Sequence, residues 1–307
     1  MNRTYDVIVI GGGPAGYAAA LYTARAGLST LVIEKLYAGG QMTQTTQIDN
    51  YPGLSEGIDG ITLGMQMQAG AQRFGTQVLS GEVLWVDLQG EEKRIGTNDG
   101  VYTAKAVIIA TGAGHKHLGV AKEQELTGKG VAYCAACDGM FYRDKVVAVV
   151  GGGNSAAADA MVLSRIAKKV YLIHRRDTLR ATKVYHEPLA RAENVEFVWN
   201  STVKELRHGE KLTGVVVKNV HSGEERVLEL DGLFISVGRA PATELFRGQL
   251  QLDENGYIVA NESTCTDIPG VFAVGDVRTK AVRQIVTAAA DGAVAAHYAE
   301  SYLLGQT

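Results

Sequence analysis

The segment best equipped for chemistry is Cys134-Ala135-Ala136-Cys137-Asp138. Two cysteines separated by two residues can close a disulfide across one helical turn, or supply half of a zinc site. A structural zinc takes four ligands. The third cysteine, Cys265, and the seven histidines are scattered with no second close pair. Three cysteines are also too few for a secreted disulfide scaffold. The pair therefore reads as redox-active, with no metal expected. Asp138 follows directly. A carboxyl group there can give or take the proton that thiol–disulfide exchange requires, and it can also cap Gly139-Met140-Phe141-Tyr142. Cys265 stands alone in Glu262-Ser263-Thr264-Cys265-Thr266 and reads as a bystander.

The cysteine pair lies between two glycine-rich loops, Gly11-Gly12-Gly13-Pro14-Ala15-Gly16 and Gly151-Gly152-Gly153-Asn154-Ser155-Ala156. In the first, Gly11 permits a tight turn, Gly13 lets backbone approach a pyrophosphate, and Gly16 allows close helix–strand packing. The following helix N-terminus offers N–H donors and a partial positive charge. Glu34 ends the next strand, about 20 residues on, where an acid binds a ribose 2′-hydroxyl. The second loop carries Ala156 in place of the third glycine, a variation this fingerprint tolerates. Its second strand ends in His174-Arg175-Arg176-Asp177-Thr178-Leu179-Arg180. Arginines there suit a 2′-phosphate through charge-assisted hydrogen bonds. The second site is therefore expected to prefer NADPH over NADH. The first, with Glu34, suits the unphosphorylated ribose of FAD. Gly275-Asp276, with Gln284 near a helix start, can present a carboxylate and amides to a flavin.

These loops need strands and helices to hold them. Val7 to Ile10, Leu31 to Ile33 and Ala106 to Ala110 read as strands, and Pro14 to Ala26 as a helix with small residues for close packing. The same grammar recurs about 140 residues later, with strands Val146 to Val150 and Val170 to Ile173 and a helix from Asn154 to Ala167. The pattern is α/β. The expected architecture is two Rossmann-like dinucleotide-binding domains, one inserted into the other. Residues 1–112 and 242–307 form a discontinuous FAD domain, and 113–241 an NADPH domain carrying the cysteines. Thr111 to Gly114 and Gly238 to Pro241 read as linkers, and Gln284 to Leu304 as a helix completing the first domain.

Composition narrows the setting. The chain has 307 residues, is 46% hydrophobic and carries a formal charge of −3. Nothing in that balance favours nucleic acid or an anionic membrane surface. No apolar run approaches the ~18 residues of a membrane span. Met1 to Thr4 leads straight into a strand-like segment and glycines, so no signal peptide is expected, and the expected location is cytoplasmic.

At this point the residues resemble a family, the low-molecular-weight, bacterial-type thioredoxin reductases. The likeness runs through Gly11 to Gly16, Gly39-Gly40-Gln41, Asn50-Tyr51-Pro52-Gly53, Ala110-Thr111-Gly112, Cys134 to Gly139, Gly151 to Ala156, His174 to Arg180, Gly275-Asp276 and Arg283-Gln284. The resemblance implies a homodimer in which electrons pass from NADPH through FAD and the Cys134–Cys137 disulfide to thioredoxin. Cys137 would face the flavin, Cys134 would attack thioredoxin, and Asp138 would be the acid/base. FAD would be held by Gly11, Gly13, Pro14, Ala15, Gly16, Glu34, Lys35, Gly40, Gln41, Asn50, Thr111, Gly112, Gly275, Asp276, Arg283, Gln284 and Ile285. NADPH would be held by Gly151, Gly153, Asn154, Ser155, Ala156, His174, Arg175, Arg176 and Arg180. Ala135-Ala136 departs from the family's commoner Ala-Thr, a change expected to tune the potential. No thioredoxin-like extension precedes Tyr5, so a peroxide-reductase subunit is not expected. A ferredoxin-linked reductase or a dithiol oxidase of the same fold would not need Arg175 and Arg176. A non-catalytic NADPH-binding redox sensor would not need both cysteines. Because nicotinamide and disulfide share one domain and both must reach the flavin, a rotation about the two linkers is expected.

Overall fold

A computed structural model describes residues 3–45 and 47–305. The chain divides into two compact units, Met1–Gly114 with Ala240–Thr307, and His115–Arg239. The two crossings between them, Ala113–His115 and Arg239–Pro241, pair as a two-stranded ribbon. The segments expected as linkers are hydrogen-bonded backbone. Lys116 N–H donates to Gly238 O at 3.0 Å, and Ala242 N–H to Gly112 O at 3.0 Å.

In the first unit, Thr4–Ile10 lies between Thr30–Glu34 and Gly100–Ile109, parallel to both. Continuous apolar runs suit strands buried on both faces, and Val7, Ile8 and Val9 are fully buried. Their side chains alternate. Val7 and Val9 meet Ala15, Tyr17, Ala19 and Ala20 on one face, with Ala288, Ala295 and Ala299 of the C-terminal helix Ile285–Leu303. Ile8 and Ile10 meet Leu31, Ile33, Val107 and Phe246 on the other. Strand Gly100–Ile109 is longer than its apolar run. Its first half pairs antiparallel with Lys93–Thr97, and its second half parallel with Val271–Ala273. That pairing is how the C-terminal segment joins the N-terminal sheet.

The second unit repeats the plan. Its five-stranded sheet runs Val195–Val198, Lys169–Ile173, Val146–Val150, Gly232–Ile235, Val131–Ala132. Helix Asn154–Ser164 covers one face through Ala156, Ala157, Ala160 and Leu163. An antiparallel sheet of Ser201–His208, Leu212–Asn219 and Glu225–Glu229 packs on the other through Leu206, Val215, Val217 and Leu228. The helix stops at Ser164, short of the expected Ala167. The Asn194 side chain donates to both Ser164 O and Ala167 O at 2.9 Å, satisfying carbonyls that further helix would have used.

Candidate functional site

The first glycine loop turns between strand Thr4–Ile10 and helix Pro14–Arg25. Gly11 has φ +107°, and a Cβ there would lie 2.5 Å from Ala110 O. A Cβ on Gly16 would overlap the Gly11 carbonyl oxygen, so the helix sits directly on the turn. Gly13 opens onto free space. Pro14 takes the first helical position, where its missing N–H costs nothing. Glu34 ends the adjacent strand. Its Oε2 accepts Gly12 N–H at 2.5 Å and its Oε1 accepts Leu36 N–H at 3.1 Å. Beside it lies a cavity of about 610 Å³ lined by Tyr17, Glu34, Leu36, Met65 and Gln68, among others. The Tyr17 hydroxyl is buried here without a hydrogen-bond partner, and burial together with the Glu34 carboxylate raises its pKa.

Gly40, Thr111 and Gly275 lie against this loop, and the other expected contacts belong to the same unit. Gly39 N–H donates to Gly12 O at 2.8 Å, and a Cβ on Gly40 would lie 3.3 Å from Gly13 Cα. Gln41 Nε2 donates to Ala113 O, and Thr111 Oγ1 to Ala242 O at 2.8 Å. Asn50 Nδ2 donates to Gln284 Oε1 at 3.2 Å, and Gln284 caps the helix that Ile285 begins. Gly275 turns at φ +71°, where a Cβ would lie 2.9 Å from Ala15 Cβ. Arg283 lies over the Tyr257 ring at 4.0 Å and donates to Asp276 O at 3.3 Å. Lys35 is engaged elsewhere, in an exposed ion pair with Glu82 at 2.7 Å. An acid that sequence reasoning missed anchors the Gly275 turn. Asp291 accepts Gly275 N–H at 2.8 Å, two Arg278 N–H groups at 2.8 Å and Lys280 Nζ at 2.9 Å. Asp291 and Arg278 are both buried. A charge set among the alanines of helix Ile285–Leu303 was the available signal.

The second loop follows the same turn with other fittings. Ala156 Cβ occupies the place that Gly16 must leave empty, and a Cβ on Gly151 would come within 2.7 Å of it. Gly153 opens onto free space. Asn154 Oδ1 accepts Thr182 N–H at 2.8 Å, and Arg180 N–H donates to Gly152 O at 2.7 Å, folding the basic segment back on the loop. His174 is buried against Gly152. Burial lowers its pKa, helped by Arg180, Arg176 and Arg175, so its ring is neutral. Its Nε2 has no hydrogen-bond partner. Ser155, Arg175, Arg176 and Arg180 are exposed.

Cys134 and Cys137 form a disulfide with Cα atoms 5.3 Å apart. Cys134 caps the helical turn Ala135–Asp138, where Asp138 N–H donates to Cys134 O at 3.0 Å. Asp138 is half-buried, and burial pushes its carboxyl up to about 6. That value lets it exchange a proton near neutral pH. Tyr142 close by is pushed up to about 12 by burial, Asp138 and Asp231. Tyr133, just before the pair, stacks on His115 at 4.7 Å and donates to Glu123 Oε1 at 2.8 Å. Burial, with Arg239 and His117, lowers His115 to about 4. None of these flanking groups was marked by a sequence motif. Met140 and Phe141, immediately after the turn, are exposed apolar side chains.

Comparison with known proteins agrees with this construction. Residues 5–292 match the family described as pyridine nucleotide-disulphide oxidoreductase. The chain is 48% identical over 306 residues to a protein named thioredoxin reductase from Streptomyces clavuligerus, covering 99% of this chain and 95% of that one. It is 46% identical over 303 residues to another so named from Listeria monocytogenes, covering 98% and 95%. A crystal structure described as thioredoxin reductase from Streptococcus pyogenes superposes with a TM-score of 0.92 at 43% identity, covering 99% of this chain and 100% of that one.

Proposed function

From a chain that belongs to the pyridine nucleotide-disulphide oxidoreductases, and within them to the thioredoxin reductases, we infer an enzyme that passes electrons from NADPH through FAD and the Cys134–Cys137 disulfide to thioredoxin. The observation that carries the reading is the closed disulfide beside Asp138, on the same unit as a glycine loop backed by Arg175 and Arg176. We propose FAD for the first loop. The open face of Gly13, the adjoining cavity and the unpartnered Tyr17 hydroxyl all favour a ligand there. We propose NADPH for the second, where Gly153 is open, His174 Nε2 is unpartnered and the arginines are free to reach a phosphate.

A flavin held at the first loop would supply two-electron chemistry, linking a nicotinamide to a disulfide. Breaking the Cys134–Cys137 bond consumes those two electrons and two protons and leaves two thiols. Cys134, as a thiolate, attacks one sulfur of the thioredoxin disulfide and forms a mixed disulfide. Cys137 then attacks Cys134, which restores the original bond and releases dithiol thioredoxin. Asp138 takes or returns the proton at the turn. The exposed Met140 and Phe141 offer apolar surface for a protein substrate beside the pair. The proposal includes a swing of the second unit about the crossing ribbon, which a disulfide engineered between the units would arrest.

No helix of the described residues is long and apolar enough to cross a membrane. We propose a cytoplasmic homodimer on the family resemblance, and sedimentation of the purified protein tests the assembly. The function is tested by anaerobic reduction. NADPH is expected to bleach the flavin and oxidised thioredoxin to restore it. In Cys137→Ser the bleaching persists and thioredoxin restores nothing. Catalytic thioredoxin reduction by Cys137→Ser contradicts the proposal.

A further inference from the structure

A second carboxylate touches the cysteine turn, and the chemistry above leaves it without a role. Asp159 is the one charged residue of helix Asn154–Ser164. Its Oδ1 accepts the N–H of Ala135, the residue after Cys134, at 3.2 Å. Its other oxygen accepts the Ser236 hydroxyl. Ser236 follows strand Gly232–Ile235, and its own N–H donates to Val150 O at 2.8 Å, so it is fixed beside the second glycine loop. An amide N–H can only donate, so the bond from Ala135 uses Asp159 as an acceptor and ties the peptide after Cys134 to the helix. Burial is the largest effect and raises the Asp159 carboxyl above its ordinary value, while Ser236, Ala135 and the Arg239 guanidinium oppose that rise and favour the charged form.

We propose that Asp159 is a positioning residue for Cys134, whose carboxylate fixes the Cys134–Ala135 peptide and whose charge disfavours the Cys134 thiolate in the reduced pair. A negative charge held close to a thiol in a partly desolvated site opposes its ionisation. Ionisation of Cys134 then waits on a base, which Asp138 can supply. The surroundings set the scale. On the turn itself the other titratable group is half-buried Asp138, with Tyr142 near it. Tyr133 is bonded to Glu123 and His117, and its ring is stacked on His115. Arg239 faces both Asp159 and His115. This inference rests on the reading of Cys134–Cys137 as the redox pair.

The test needs neither NADPH nor thioredoxin. Flavin-loaded protein is reduced with dithiothreitol, freed of it, and alkylated with iodoacetamide over a pH series. Labelling of Cys134 is followed by peptide mass spectrometry in wild type, Asp159→Asn and Ser236→Ala. Asparagine keeps an oxygen for Ala135 and drops the charge, so a merely structural role leaves the profile in place. We expect the Asp159→Asn profile to move to lower pH by about half a unit or more, seen as about threefold faster labelling of Cys134 near neutral pH. Ser236→Ala, which removes a donor that stabilises the charge, should move it the same way by less. An Asp159→Asn profile that coincides with wild type, or moves to higher pH, overturns the proposal. Should Asp159→Asn fail to fold, Ser236→Ala decides, and an unmoved profile there overturns it. Failure of the redox reading looks different, since dithiothreitol would then release no new thiols from the wild type.

Discussion

The two glycine loops share a strand–turn–helix plan and differ in what closes each turn. At the third glycine position of the first loop, Gly16 leaves no room between helix and turn for a Cβ, whereas Ala156 holds one in the second. At the end of the neighbouring strand, the first loop meets Glu34, which takes a hydrogen bond from Gly12. The second meets a buried neutral His174 followed by exposed Arg175 and Arg176. Each loop keeps one buried polar atom without a partner, Tyr17 Oη in the first and His174 Nε2 in the second. We propose that the shared backbone plan makes a dinucleotide site and that the strand-end residues choose its charge. On that reading, an acid with its lone pairs on backbone amides would receive a neutral ribose, and a pair of exposed guanidiniums a phosphate.

The largest effect should come from the tighter loop. Gly16→Ala forces a methyl group into the Gly11 carbonyl, at a cost of about 3 kcal/mol. The variant is expected to purify without flavin, to melt at lower temperature and to lose all NADPH-driven turnover. Normal flavin absorbance in that variant would break the claim that the first loop is the closer-packed one.

Next in size is the proton. Asp138→Asn should slow thioredoxin reduction about 100-fold while NADPH still bleaches the flavin, and any limb near pH 6 in the wild-type profile should vanish. The linkage has a definite sign. The folded carboxyl titrates at about 6 against an ordinary 3.8 because burial disfavours its charge. Its neutral form favours the folded state below the ordinary value, and that contribution is lost as pH rises through about 6. Melting temperatures of wild type relative to Asp138→Asn should therefore fall over that window.

The charge contrast comes third. Arg175→Ala with Arg176→Ala should raise KM for NADPH about 30-fold, near 2 kcal/mol, and leave KM for NADH nearly unchanged, as steady-state kinetics would show. The smallest effect belongs to the permissive position. Ala156→Gly should cost only about 1 kcal/mol in denaturant unfolding and keep NADPH-driven thioredoxin reduction.

Much of this was legible in the sequence because fingerprints and strands are local. Gly11 to Gly16 and Gly151 to Ala156 announce turn and helix within six residues, and Val146 to Val150 shows its burial by its own composition. What escaped depends on partners distant in the chain. Asn194 ends the helix at Ser164 from another element. Gly100–Ile109 is lengthened by two different neighbours. Asp159, Ser236 and Asp291 have no motif, because a hydrogen bond across 77 or 16 residues leaves no spacing to read. For the two acids the trace is a charge set among helix alanines, a signal of burial with a partner; Ser236 left none. The crossings were read as linkers from their glycines and proline, and their mutual pairing leaves no local pattern to read.

The central claim is that one loop holds the flavin and the other, through Arg175 and Arg176, selects the phosphorylated nicotinamide that feeds it. An anaerobic titration of flavin absorbance with NADPH and with NADH, on wild type and the double arginine variant, tests it most directly. The wild type should bleach at far lower NADPH than NADH, and the variant should lose most of that gap. Equal bleaching by the two nucleotides in the wild type, or an undiminished gap in the variant, would contradict it.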